Sequence, residues 1–108
     1  MTGAERRKSP RKAVDLPVRC TADGRSFPGR LKDICRDAAL VEAHQPCALD
    51  SRVVISVDLP GAGTVEVAAR VIRLAEGEGD ARGMAVLFTA ATPAAATRID
   101  LFLSRDAS

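Results

Sequence analysis

Residues 53–71 constrain the fold most. Val53, Ile55, Val57 and Leu59 alternate with Val54, Ser56 and Asp58. Pro60-Gly61-Ala62-Gly63 follows, and then Val65, Val67, Ala69 and Val71 alternate with Glu66, Ala68 and Arg70. Successive side chains of a strand point to opposite sides, so apolar residues at every second position mark a strand with one buried face. Pro and Gly clustered between two such runs mark a turn. The stretch therefore predicts two half-buried strands joined tightly. After Val71 the phase slips, because Ile72 and Leu74 are apolar while Arg73 is charged. A one-residue slip in a long strand predicts a bulge, which supplies the bend that barrel closure needs.

The same period runs through the rest of the chain. Val14, Leu16, Val18 and Cys20 alternate with Asp15, Pro17, Arg19 and Thr21, with Pro17 on the outward set where an edge or bulge tolerates it. Asp23-Gly24 predicts a hairpin turn. A second strand is expected from about Phe27 to Ile34, weakened in its first half by Pro28 and Gly29. Asp33-Ile34-Cys35-Arg36-Asp37-Ala38 breaks the pattern, and Ala39 to Ala43 resumes it. His44 to Ser51 reads as a loop, Glu76 to Asp80 as a solvated acidic turn, and Gly83 to Phe88 as a final buried strand. Thr92 can cap a helix with Pro93 at its first position. Ala95, Ile99, Phe102 and Leu103 then fall on one helical face, and Arg105 complements the helix dipole. About six short strands and one terminal helix predict an all-β barrel or sandwich, in a chain whose 108 residues suit one domain.

Several functions are expected to be absent. The chain has no Trp or Tyr, and Phe27, Phe88 and Phe102 are its only aromatics. Single-stranded nucleic acid is bound on aromatic faces, so no DNA or RNA partner is expected. No run of 18 apolar residues offers a membrane span. The charged N-terminus lacks the apolar core of a secretory signal, and three cysteines read as reduced thiols in the cytoplasm. The single histidine, His44, has no nucleophile pattern around it, and nothing pairs two carboxylates for acid–base work. No enzyme is expected. His44-x-x-Cys47, with Cys35 as a further ligand, is too loose a spacing for a metal site. Gly61 and Gly63 lack the downstream Lys-Ser/Thr of a phosphate loop. Neither a metal nor a resident cofactor is expected.

The charge distribution is more informative. Residues 1–12 carry a formal charge of +4, and the other 96 residues carry −2. This division predicts a flexible basic arm, residues 1–12, ahead of a domain at 13–108. Arg7 and Arg11 are spaced R-x-x-x-R around Pro10, which stiffens the segment. Asp33 follows Arg11 by 22 residues, in the strand break. Two guanidinium planes facing a carboxylate on a tight turn can recognise a guanine nucleotide. The carboxylate accepts from the Watson–Crick edge, and each guanidinium meets a phosphate or the O6/N7 edge.

The chain resembles a PilZ domain over nearly its whole length. Glu5 to Arg11 followed by Val14 to Val18 resembles the family's opening, with Arg7 and Arg11 on its RxxxR motif. Asp33 to Ala38 falls where the family carries (D/N)xSxxG. Val67 to Leu74 resembles its long central strand, and Gly83 to Phe88 its closing strand. The resemblance implies a six-stranded antiparallel split barrel with a short C-terminal helix. It also implies a receptor for the bacterial second messenger cyclic di-GMP, bound by Arg7 and Arg11 on the arm and by a facing wall at Asp33, Cys35 and Ala38. Cys35 stands where the family has Ser, and its S–H is a weaker donor. Ala38 stands where the family has Gly, adding a methyl and a penalty of roughly 1 kcal/mol if the backbone there needs positive φ. Two readings follow. In one, the chain binds cyclic di-GMP and passes the signal to a protein partner in motility or surface-associated behaviour. In the other, it is a PilZ-like module that has lost the nucleotide and acts by protein contact alone.

Overall fold

The computed structural model describes residues 11–105. Six antiparallel strands and one helix follow in the expected order: β1 (Lys12–Ala22), β2 (Arg25–Ile34), β3 (Ala38–Ala43), β4 (Arg52–Leu59), β5 (Gly63–Glu76), β6 (Arg82–Ala90) and α1 (Pro93–Arg105). The arm lies outside the described residues except for its last two positions, and β1 begins inside it, at Lys12.

The turns do what their residues dictate. Asp23 and Gly24 have φ of 53° and 75°, the pair of positive values that a two-residue hairpin of primed type requires. Ala22 and Arg25 close that hairpin as register partners. In the β4–β5 turn the Ala62 N–H donates to the Leu59 carbonyl at 2.9 Å, and Gly61 takes φ of 79° after Pro60. That is the positive φ a type II turn needs at its third residue.

The strands close into a barrel in the order β1-β2-β3-β6-β5-β4, with β1 pairing back onto β4. Closure leaves no sheet edge, so of the two settings expected to tolerate Pro17, an edge or a bulge, it is the bulge that it stands beside. It follows a register shift between Ala13 and Leu16, and precedes Val18, where pairing with β4 begins. Pro28 and Gly29 do not shorten β2, which runs from Arg25. Gly29 is needed there for space, since a Cβ would lie 2.9 Å from the Glu42 carbonyl oxygen on β3. The final strand is half-buried rather than buried: Met84 and Val86 face the core, while Ala85 and Leu87 lie on the other side.

The inward positions named by the alternation form the core. Val53, Ile55, Val57, Leu59, Val65, Val67, Ala69 and Val71 are all buried. Helix α1 adds Ala95, Ile99, Phe102 and Leu103 and packs against β4 and β5. Its start is fixed by the Thr92 hydroxyl, which accepts the Ala95 N–H at 3.1 Å. Arg98 donates through Nη1 to the Thr64 carbonyl at 2.9 Å, fastening the helix over the β4–β5 turn. Among the described residues, no helix is long and apolar enough to cross a membrane.

Candidate functional site

Arg7 lies outside the described residues. The other four expected site residues converge. Arg11, Asp33, Cys35 and Ala38 line one depression of about 240 Å³, together with Leu40, Ile72, Arg73 and Ala85. Two local irregularities build it. The β2–β3 ladder shifts between Leu31 and Asp33, and the β5–β6 ladder shifts between Val71 and Arg73. A bulge re-aims the side chains beside it. The second shift is the slip seen in the sequence, and it leaves Ile72 46% exposed.

Register explains the floor. Asp33 pairs with Leu40, Leu40 with Ala85, and Ala85 with Arg73. Directly paired residues share a face of the sheet. One row therefore crosses β2, β3, β6 and β5, with a carboxylate at one end, a guanidinium at the other and two apolar side chains between.

The turn carrying Cys35 is held from two sides. The Cys35 N–H donates to the Ala38 carbonyl at 2.8 Å, and the Phe88 N–H on β6 donates to the Asp37 carbonyl at 2.7 Å. Arg36 points away from the depression and grips Asp100 of α1, through Nε to Oδ1 at 2.9 Å and Nη2 to Oδ2 at 3.2 Å. Lys12, the neighbour of Arg11, donates to the Phe102 carbonyl at 3.2 Å and sits 3.8 Å from the centroid of that residue's ring. Both walls of the depression are thus tied to the helix behind them.

Ala38 corrects one expectation. It does not have positive φ; it is the first residue of β3, paired with Leu87. The change from the family's Gly adds a methyl to the depression without the backbone penalty anticipated for it. Cys35 is half-buried, and of the three free thiols it alone lines the depression. Burial, and then the neighbouring Cys47, push the Cys20 thiol up to about 11. Burial likewise raises Cys47 above the ordinary thiol range. His44 is exposed and Cys47 buried, and among the described residues no three His, Cys, Asp or Glu side chains gather as metal ligands.

Larger hollows lie elsewhere among the described residues: one of about 520 Å³ between Arg36, Phe88, Ile99 and Asp100, one of about 600 Å³ between Thr21, Arg52, Val54 and Ala68, and one of about 300 Å³ between Arg36, Asp100, Leu103 and Ser104. The smaller depression is the better candidate, because there opposite charges face each other across an apolar floor, the arrangement that orients a polar ligand. Sequence reasoning missed Leu40, Ile72, Arg73 and Ala85. The slip at Ile72 was the available signal for two of them.

The family profile for the PilZ domain matches residues 5–105. The chain belongs to the PilZ family. No curated protein matches this PilZ chain. Among solved structures it is similar to the inhibitor of motility MotI/DgrA of Bacillus subtilis, with a TM-score of 0.79 and 15% identity over 94% of this chain and 51% of that one. It is also similar to the PilZ domain of YcgR from Escherichia coli with cyclic di-GMP, with a TM-score of 0.69 and 20% identity over 94% of both. The PilZ domain of CeSA from a cellulose-synthesizing bacterium gives a TM-score of 0.68 and 22% identity over 93% of this chain and all of that one. The PilZ chain spans about half the length of the motility inhibitor. At these identities the likenesses establish the fold.

Proposed function

We propose that this PilZ chain is a bacterial cyclic di-GMP receptor. Arg7 and Arg11 clamp the ligand, Asp33 accepts hydrogen bonds from a guanine edge, and Cys35 and Ala38 form the facing wall. The supporting observation is the meeting of Arg11, Asp33, Cys35 and Ala38 in one depression, although the sequence separates them by up to 27 positions. Because two of the ligand's contacts come from the basic N-terminal segment, binding is coupled to that segment. The signal then passes to a protein partner in motility or regulation. Three free thiols suit a reducing, cytosolic setting.

A second reading, a PilZ module that works by protein contact without the nucleotide, draws on Cys35 and Ala38 at positions where the family carries Ser and Gly. Calorimetric titration with cyclic di-GMP separates the two. The receptor reading expects binding by the wild type and its loss in Arg7→Ala/Arg11→Ala. A silent wild type together with binding by Cys35→Ser/Ala38→Gly makes the second reading correct. Alkylation supplies an independent readout: bound ligand should protect Cys35 from iodoacetamide, since its thiol lines the depression.

A further inference from the structure

Arg73 occupies the far end of the Asp33–Leu40–Ala85–Arg73 row. Three interstrand spacings separate the ends of that row, roughly 14 Å between the strands concerned. A guanine hydrogen-bonded to Asp33 has Leu40 beneath it. It leaves Ala85 and Arg73 for another part of the same ligand. We propose that Arg73 is a specificity-determining residue that contacts the half of a cyclic dinucleotide remote from Asp33. This inference rests on the receptor reading above.

Three observations carry it. First, Arg73 lines the depression together with Arg11 and Asp33. Second, the β5 bulge places it there on a strand paired with β6, so its backbone is held before ligand arrives. A preorganised contact loses little conformational freedom on binding. Third, Arg73 makes no ion pair with a described residue, whereas Arg30, Arg36 and Arg70 each have an acidic neighbour in Asp15, Asp100 and Asp50. Its forked donors are available to a phosphate or to the O6/N7 edge of a second guanine. A ligand with one guanine satisfies Asp33 but does not need Arg73; one with two guanines and two phosphates uses both ends.

The test titrates the full chain with cyclic di-GMP, and with GMP as the single-guanine control. The proteins are wild type, Arg73→Ala, Arg73→Lys and Arg52→Ala, the last removing an exposed charge outside the depression. Circular dichroism verifies folding of each. Arg73→Ala should weaken cyclic di-GMP by about tenfold or more, the scale of a lost hydrogen bond to a charged group. Arg73→Lys should recover part of the loss, Arg52→Ala should bind as wild type, and the response to GMP should not change. Equal affinity of wild type and Arg73→Ala for cyclic di-GMP overturns the inference while leaving the receptor reading intact. Equal losses for GMP and cyclic di-GMP overturn the assignment to the remote half. A wild type that binds no cyclic di-GMP overturns the receptor reading and this inference with it.

Discussion

The two halves of β5 differ: one only packs the core, and the other also lines the candidate depression. From Gly63 to Arg70 it pairs with β4 through eight successive positions without a shift. From Ala68 onward it pairs with β6 through two shifts. The regular half turns Val65, Val67 and Ala69 inward, each no more than 3% exposed. The irregular half leaves Ile72 and Leu74 more than two-fifths exposed and brings Ile72 and Arg73 to the depression. Strict alternation suffices where a strand needs only to bury one face. Where the strand also lines the depression, the alternation breaks.

The contrast is tested most severely in the regular half. Leu59→Ala, at a fully buried position paired with Gly63, should cost about 2–5 kcal/mol, read as a lowered denaturant midpoint. A loss below about 1 kcal/mol would show that this half is not well packed. Thiol chemistry draws the same line between core and depression. In the folded chain Cys35 should react with a soluble maleimide while Cys20 and Cys47 stay protected. Because folding raises the Cys20 pKa from 9.0 to about 11, its burial stabilises the fold fully below pH 9 and that stabilisation is lost as pH rises from 9 to 11. Replacing Cys20 by Ala should flatten that window in a pH series of melts; an unchanged slope there would contradict the buried-thiol account.

The irregular half should respond differently. Deleting Ile72 removes the bulged residue while allowing Val71–Val86 and Arg73–Ala85 to keep their partners. The barrel should still fold, and cyclic di-GMP binding should weaken by roughly tenfold, about 1.4 kcal/mol, as the depression straightens. Undiminished affinity in a folded deletion variant would mean that the bulge serves closure alone. Ala38→Gly should lower stability by about 0.5–1 kcal/mol, because a strand position gains backbone freedom and no left-handed conformation there rewards it. A stability gain would refute that assignment. The smallest effect is expected at Asp15, which accepts from Arg30 Nε at 2.9 Å. That hydrogen bond holds its carboxyl below the usual range, with Lys32 adding a lesser pull. The stabilisation is present above the ordinary carboxylate range and fades as pH falls through the lowered value. Asp15→Asn should therefore remove a small acid-side dependence and leave the alkaline side unaffected, as melts from pH 2 to 6 would reveal.

Much of the candidate site was legible locally. Arg11 and Asp33 were recognisable because a basic segment and a broken strand stand out against period-two alternation, whereas Cys35 and Ala38 were pointed to by the resemblance to the family's (D/N)xSxxG motif. Arg73 was hidden, since one charged residue after a phase slip looks like any outward side chain. Leu40 and Ala85 were hidden for the converse reason: half-buried apolar residues on an outer face resemble core residues in a sequence.

By itself the sequence determined the elements and their joints. Side-chain period, the positive φ accepted by Asp23-Gly24 and Gly61, the Thr92 cap and the slip at Ile72 all act within a few residues. Only the tertiary structure decided that β3 lies beside β6 and that β1 returns to β4. Those ladders join segments far apart in the chain, and their register follows from closing all six strands around one core. No short stretch encodes that condition, yet it is what sets Asp33 and Arg73 on a common row and brings Arg36 to Asp100.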